Sequence, residues 1–97
     1  MSVYFINSYD ITDMELFQQY PPKVAVLLAK YGAEVLVSDT QVKAIEGQPR
    51  TMHAIIKFPS EEAALTCYND PEYQEVRKIR LQSTTNCTMV LAKEFKK

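Results

Sequence analysis

Two periodicities alternate along the chain, and their order predicts its architecture. From Ser2 to Asp10 every second residue falls on one side, with Val3, Phe5, Asn7 and Tyr9 opposite Tyr4, Ile6, Ser8 and Asp10, the period of a strand. At Thr12 the period changes. Thr12 followed three residues later by Glu15 has the form of a capping box, and Met14, Phe17, Val24, Leu28 and Tyr31, widened by Leu27, then hold one face at helical spacing. Pro21-Pro22 interrupts that face without shifting its phase. Neither proline donates a helix hydrogen bond, so the pattern predicts a kinked or two-piece helix from Asp13 to about Lys30, with Pro22 in the first turn of the second piece. Gly32 then serves as a left-handed cap.

Glu34 to Val42 returns to strand alternation, and Gly47 and Pro49 mark the connection from Ala44 to Arg50. Thr51 to Phe58 is the third strand, apolar on both faces: Met52, Ala54, Ile56 and Phe58 on one, Ile55 between His53 and Lys57 on the other. Ser60, with Glu61 and Glu62 behind it, caps a short helix that Asp70-Pro71 restarts. In the restarted piece Tyr73, Val76 and Arg80 stand at i, i+3 and i+7, so the stripe facing the core ends in a permanent positive charge. Gln82 to Asn86 reads as a polar link and Cys87 to Phe95 as the last strand. The order βαββαβ predicts one α+β, ferredoxin-like domain over residues 1–97: a four-stranded antiparallel sheet with the helices on one face. Two helices cover one face, yet Ile6, Val35 or Leu36, Ile55 and Met89 or Val90 put apolar groups on both. A homodimer packed sheet against sheet is the simplest cover.

The chain resembles the domain of unknown function 1330 family of the dimeric α+β barrel superfamily. The likeness rests on Asp10 to Glu15, Tyr31-Gly32, Glu46-Gly47, Phe58-Pro59-Ser60 with Ala63 and Ala64, Tyr68, Pro71-Glu72-Tyr73 and Arg80. The stretch from Phe58 to Arg80 is the most specific part. The chain departs from the family pattern at Ala33, around Ser38-Asp39, at Lys57 and in a shorter loop near Gln48. The resemblance implies the fold and the dimer. Its superfamily includes cofactor-free monooxygenases, lactone isomerases, haem-dependent enzymes and members without known activity, so it implies no single reaction.

Composition narrows the functional classes. Eleven basic residues against 12 acidic leave a net charge of -1 without a basic tract beyond Lys96-Lys97, which disfavours nucleic acid or an anionic membrane as partner. The start Met1-Ser2-Val3-Tyr4 lacks a signal-peptide pattern, and the apolar run Val24–Ala29 is too short to span a bilayer; a cytoplasmic location is expected. Cys67 and Cys87 read as packed thiols rather than a disulfide. No metal site and no cofactor are expected, because the single histidine has no second ligand at metal spacing and two glycines make no phosphate-binding loop. No serine sits in a nucleophile elbow either.

Five side chains remain as candidates. Arg80 has a planar fork that would clamp the carboxylate or enolate of a small organic molecule, the alternative being an internal pair with Glu46 or backbone carbonyls. Tyr73, Tyr68 and Tyr9 would line such a site with phenols, or serve as core rings with a wet tip. His53 is the candidate acid–base group, though alternation puts it on the face assigned to the dimer. The leading expectation is a homodimeric binder of a small anionic molecule. A cofactor-independent monooxygenase or isomerase is the alternative, and a purely structural or regulatory dimer the third.

Overall fold

The strand nearest the amino terminus becomes the middle of the sheet. In the computed structural model, which describes residues 1–96, β1 (Val3–Ile11) runs antiparallel to β3 (Met52–Phe58) on one side and β4 (Thr84–Lys93) on the other. β2 (Glu34–Asp39) pairs with β3, and the order β2-β3-β1-β4 is that of the α+β, ferredoxin-like fold. Helices α1 (Met14–Phe17) and α2 (Tyr20–Lys30) join β1 to β2, while α3 (Glu61–Tyr68) and α4 (Pro71–Ser83) join β3 to β4.

Local chemistry sets the element ends. Asp13, not Thr12, caps α1, its Oδ1 accepting from the Leu16 amide at 3.0 Å, and this phase leaves Met14 exposed rather than on the buried stripe. The proline pair opens α2 directly after Tyr20, where amides have no intrahelical partner to lose. Gly32 takes φ +70 as expected of a left-handed cap. β2 stops at Asp39, earlier than the alternation suggests, because its side chain accepts from the Gln41 amide at 2.7 Å and turns the chain. Ser60 and Asp70 cap α3 and α4 through the amides of Ala63 and Glu72. The anticipated polar link after α4 does not exist. Ser83 and Thr84 donate their hydroxyls to the last helical carbonyls, and the chain enters β4 at once.

The register sorts the side chains of the two faces. On the helix side, Val3, Leu28, Phe58, Ala64 and Cys67 form an apolar core, with Phe5 edge-on to Phe58 at 5.4 Å. Tyr9, Phe17, Tyr20, Met52 and Ala54 form a second core of different character, rich in rings and hydroxyls. On the open side, Val37, Ile55, Ile6 and Val90 fall opposite one another in an apolar row crossing all four strands. Its three members outside β3 are exposed. Of the alternatives left open by alternation, Val35 and Met89 line cavities on the helix side and Val90 is on the open side; Leu36 falls at the irregularity between Val35 and Val37, and Val37 takes the open-side place opposite Ile55.

Candidate functional site

The last turn of α4 carries Arg80 under the sheet's helix-side face, seven residues after Tyr73. Only 3% of Arg80 is exposed. One terminal nitrogen donates to Cys87 Sγ at 2.8 Å, the guanidinium stands 6.0 Å from the Tyr9 ring centroid, and Nε has no hydrogen-bond partner. Among the described residues the ion pairs are Lys30–Asp70, Arg50–Asp10 and Lys78–Glu75, so no carboxylate compensates Arg80. Glu46, the acidic partner conceivable from sequence, lies exposed in the connection between β2 and β3.

Phenols take the place of a counter-ion. The hydroxyls of Tyr20 and Tyr73 meet at 3.2 Å, and the Tyr73 ring lies 5.4 Å from that of Tyr68. Burial pushes the Tyr9 hydroxyl up to about 12 although Arg80 pulls the other way, and burial with the neighbouring Tyr73 raises Tyr20 further still. Burial works against the charge on Arg80, while the phenols of Tyr73 and Tyr20, the Cys87 thiol and a hydrogen bond with Tyr73 favour it and keep the guanidinium protonated. Tyr9 and Tyr20 are therefore neutral at neutral pH beside the buried Arg80 cation.

Two cavities lie between helices and sheet. The larger, about 120 Å³, is lined by Tyr9, Phe17, Tyr20, Met52, Ala54 and Ile56 among others. The smaller, about 20 Å³, reaches Tyr68, Tyr73 and Met89. Tyr20, Val24, Leu28 and Ile56 border both, so they form the partition. Arg80 lines neither cavity and stands against Tyr9, which lines the larger.

Arg80, Tyr73 and Tyr9 thus share one cluster, and Tyr68 joins it through the Tyr73 ring, with Arg77 over its other neighbourhood at 5.5 Å. His53 is elsewhere. It pairs with Ser8 and Asp39 on the open side of the sheet, with Nδ1 buried and without a partner. Tyr20 was not among the sequence candidates, because Pro21-Pro22 interrupts the helical face directly after it. Its spacing, three after Phe17 and four before Val24, was the available signal. Asn7 was also passed over, a polar residue alternating with Val3, Phe5 and Tyr9. It is only 6% exposed and its Oδ1 has no partner.

Cys67 is buried and its thiol is pushed up to about 11 by that burial, while Cys87 is exposed beside Arg80 rather than packed; both are free. Among the described residues no three His, Cys, Asp or Glu side chains gather as a metal would need. No helix is long and apolar enough to cross a membrane.

Comparison with known proteins agrees with this geometry at the level of fold. The family model described as "Domain of unknown function (DUF1330)" matches residues 2–95. A protein of unknown function from Rhodopseudomonas palustris superposes with a TM-score of 0.84 at 16% identity, covering 99% of this chain and 84% of that one. A dimeric protein of unknown function and ferredoxin-like fold from Bacteroides fragilis gives 0.67 at 15% identity, covering 97% and 96%. A cofactor-independent oxygenase from Streptomyces nogalater gives 0.70 at 13% identity, covering 99% and 95%. No curated protein matches the chain. Likenesses at such identity carry the fold alone.

Proposed function

The chain belongs to the DUF1330 family, and on that premise we propose a homodimer whose subunits each bind a small anionic organic molecule in the cleft between sheet and helices. Arg80 is the anchor, and Tyr73, Tyr68 and Tyr9 are the lining. One observation carries the reading: a buried guanidinium whose neighbours are a thiol and aromatic rings instead of a carboxylate. An unpaired buried charge costs several kcal/mol; the surrounding phenols and thiol favour the charge, but a thiol is a weak acceptor and Nε has no partner. A carboxylate or enolate offers the fork two oxygens at once. The larger cavity is below the roughly 300–1,000 Å³ typical of drug-sized ligands, which keeps the occupant small. Arg80 lines neither cavity, so a ligand reaches it only if neighbouring rings such as Tyr9, which lines the larger one, give way.

The dimer is supported by the apolar row Val37–Ile55–Ile6–Val90 on the uncovered face. A second copy of the same row hides it without a further protein. Light scattering at micromolar concentration tests this, and a stable monomer would remove the dimer from the proposal.

Binding is tested by thermal shift with a panel of small carboxylates on the wild type and on Arg80→Met. Wild-type shifts that vanish in a well-folded Arg80→Met protein support the anchor. Shifts that persist in the variant exclude it, and a panel without any shift leaves Arg80 a structural residue.

A second reading, a cofactor-independent monooxygenase or isomerase, is favoured by the phenols clustered around a cation. There Arg80 would hold an enolate while a cleft tyrosine moves the proton; His53, across the sheet on the open face, is out of reach of the cleft. Turnover of a bound acid that is indifferent to His53→Ala agrees with that placement, and loss of turnover would return His53 to the mechanism.

A further inference from the structure

Among the described residues four buried side-chain polar atoms lack a partner. His53 Nδ1 lies on the open side and Arg77 Nε belongs to the guanidinium over the Tyr68 ring, so Arg80 is one of two such orphans beside the helix-side face of β1. The other is Asn7, at the middle of the central strand, whose Oδ1 is buried and unpartnered as Arg80 Nε is. Native interiors leave few buried polar atoms unpaired, and each costs free energy until something pairs with it. Asn7 lines neither cavity itself, but register sets it between a wall residue of each. Its partner in β3 is Ala54, which lines the larger cavity, and its partner in β4 is Met89, which lines the smaller. Tyr9, two residues on and about 7 Å away along the same face, carries the Arg80 guanidinium 6.0 Å from its ring centroid. The orphans therefore flank one stretch of β1 and differ in kind. Arg80 can only donate, whereas Asn7 lacks a donor for its oxygen.

Above them Tyr20 divides the space. It borders both cavities, its hydroxyl rests on that of Tyr73, and it is the first residue of α2, next to the break between α1 and α2. Displacing this ring would open part of the partition that it shares with Val24, Leu28 and Ile56.

Resting on the binding reading above, we infer that the cleft takes a molecule with two polar ends: an anionic group for Arg80 and a hydroxyl or enol that donates to Asn7 Oδ1. Simple monofunctional acids satisfy only half of the site. A ring between the two ends suits the aromatic walls of Tyr9, Phe17 and Tyr20. The preferred chemical class is thus a hydroxylated or enolisable single-ring acid, ahead of its deoxy counterpart.

Paired probes test this directly: 3-hydroxybenzoate and 4-hydroxybenzoate against benzoate, and lactate against propionate, by calorimetric titration of the full-length protein. In the wild type at least one hydroxy acid should bind about tenfold or more tighter than its deoxy partner, the expected consequence of pairing a buried acceptor. In Asn7→Leu, which replaces an orphaned amide by an apolar group of similar size, that preference should fall to about unity while benzoate or propionate binding persists. Arg80→Met should lose both members of each pair. Equal wild-type affinity within every pair overturns the inference and leaves the anion site standing. No binding by any probe overturns both. Preference retained in Asn7→Leu reassigns the hydroxyl to another group and also sinks the proposal. The wild-type comparison decides even if Asn7→Leu does not fold.

Discussion

Asp70 and Arg80 are charged side chains buried at opposite ends of the same helix, 8% and 3% exposed, and the fold treats them differently. Asp70 is saturated. One oxygen takes the Tyr31 hydroxyl and Lys30 Nζ, and the other accepts the Glu72 amide at 2.8 Å as the cap of α4. Those partners come from α2, its C-terminal cap and α4, so the carboxylate ties the two long helices together. Arg80 has a thiol, two phenols nearby and an idle Nε. A buried charge matched by the chain is a structural fastening; on the function proposed above, the one left unmatched answers to a ligand.

The largest effect should come from unfastening the matched end. Asp70→Ala removes a cap and leaves Tyr31 and Lys30 without their acceptor, and the melting temperature should drop on the order of 5–10 °C. A drop under about 2 °C would dissolve the contrast with Arg80.

Acid acts on the same fastening. The hydrogen bond from Tyr31 holds the Asp70 carboxyl below its ordinary value of 3.8, followed by the Glu72 amide and Lys30, and Asp10 is lowered by Asn86 and Thr51. A depressed folded value means the stabilisation is complete above 3.8 and is lost as pH falls through the lower folded values. Denaturant midpoints measured from pH 6 downward should therefore be level above 3.8 and decline below it. Asp70→Asn should flatten part of that decline, Asp10 supplying the rest.

The unmatched end should be far more tolerant. Arg80→Met should leave the melting temperature within about 2–3 °C of wild type, or raise it, because it exchanges an uncompensated charge for an apolar chain. The affinity for a carboxylate that binds the wild type should fall roughly 10- to 100-fold. Unfolding of the variant would make Arg80 a fastening like Asp70.

The smallest effect is expected at Cys87. Cys87→Ser keeps an acceptor of similar size beside Arg80, and both stability and carboxylate binding should change by less than about twofold in the unfolding or binding constant. A loss approaching that of Asp70→Ala would mean that sulfur is the counter-ion of Arg80, and the external anion would lose its reason.

Much of this was legible in the residue pattern. The alternation in β1 and β3, the caps at Ser60 and Asp70, Gly32 at a positive φ and the break at Pro21-Pro22 are local features, each satisfied within a few residues. Arg80 announced itself by sitting on an apolar stripe. Less legible were the cap at Asp13 instead of Thr12 and the continuation of α4 straight into β4, because neighbouring polar residues compete for the same free amides and carbonyls and the winner depends on where the helix docks.

Short-range propensity and spacing were enough to specify which segments are strands, which are helices, and that both sides of the sheet are apolar. Only the folded chain decided that Val35 faces the helices while Val37 faces outward, since that depends on a bulge between them. It alone decided too that Tyr20 stands in the partition of the cleft, that Asn7 and Arg80 flank one stretch of β1, and that among the described residues no carboxylate pairs with the guanidinium. These are relations between residues far apart in the chain, set by packing, and no local rule encodes which distant group is left without a partner.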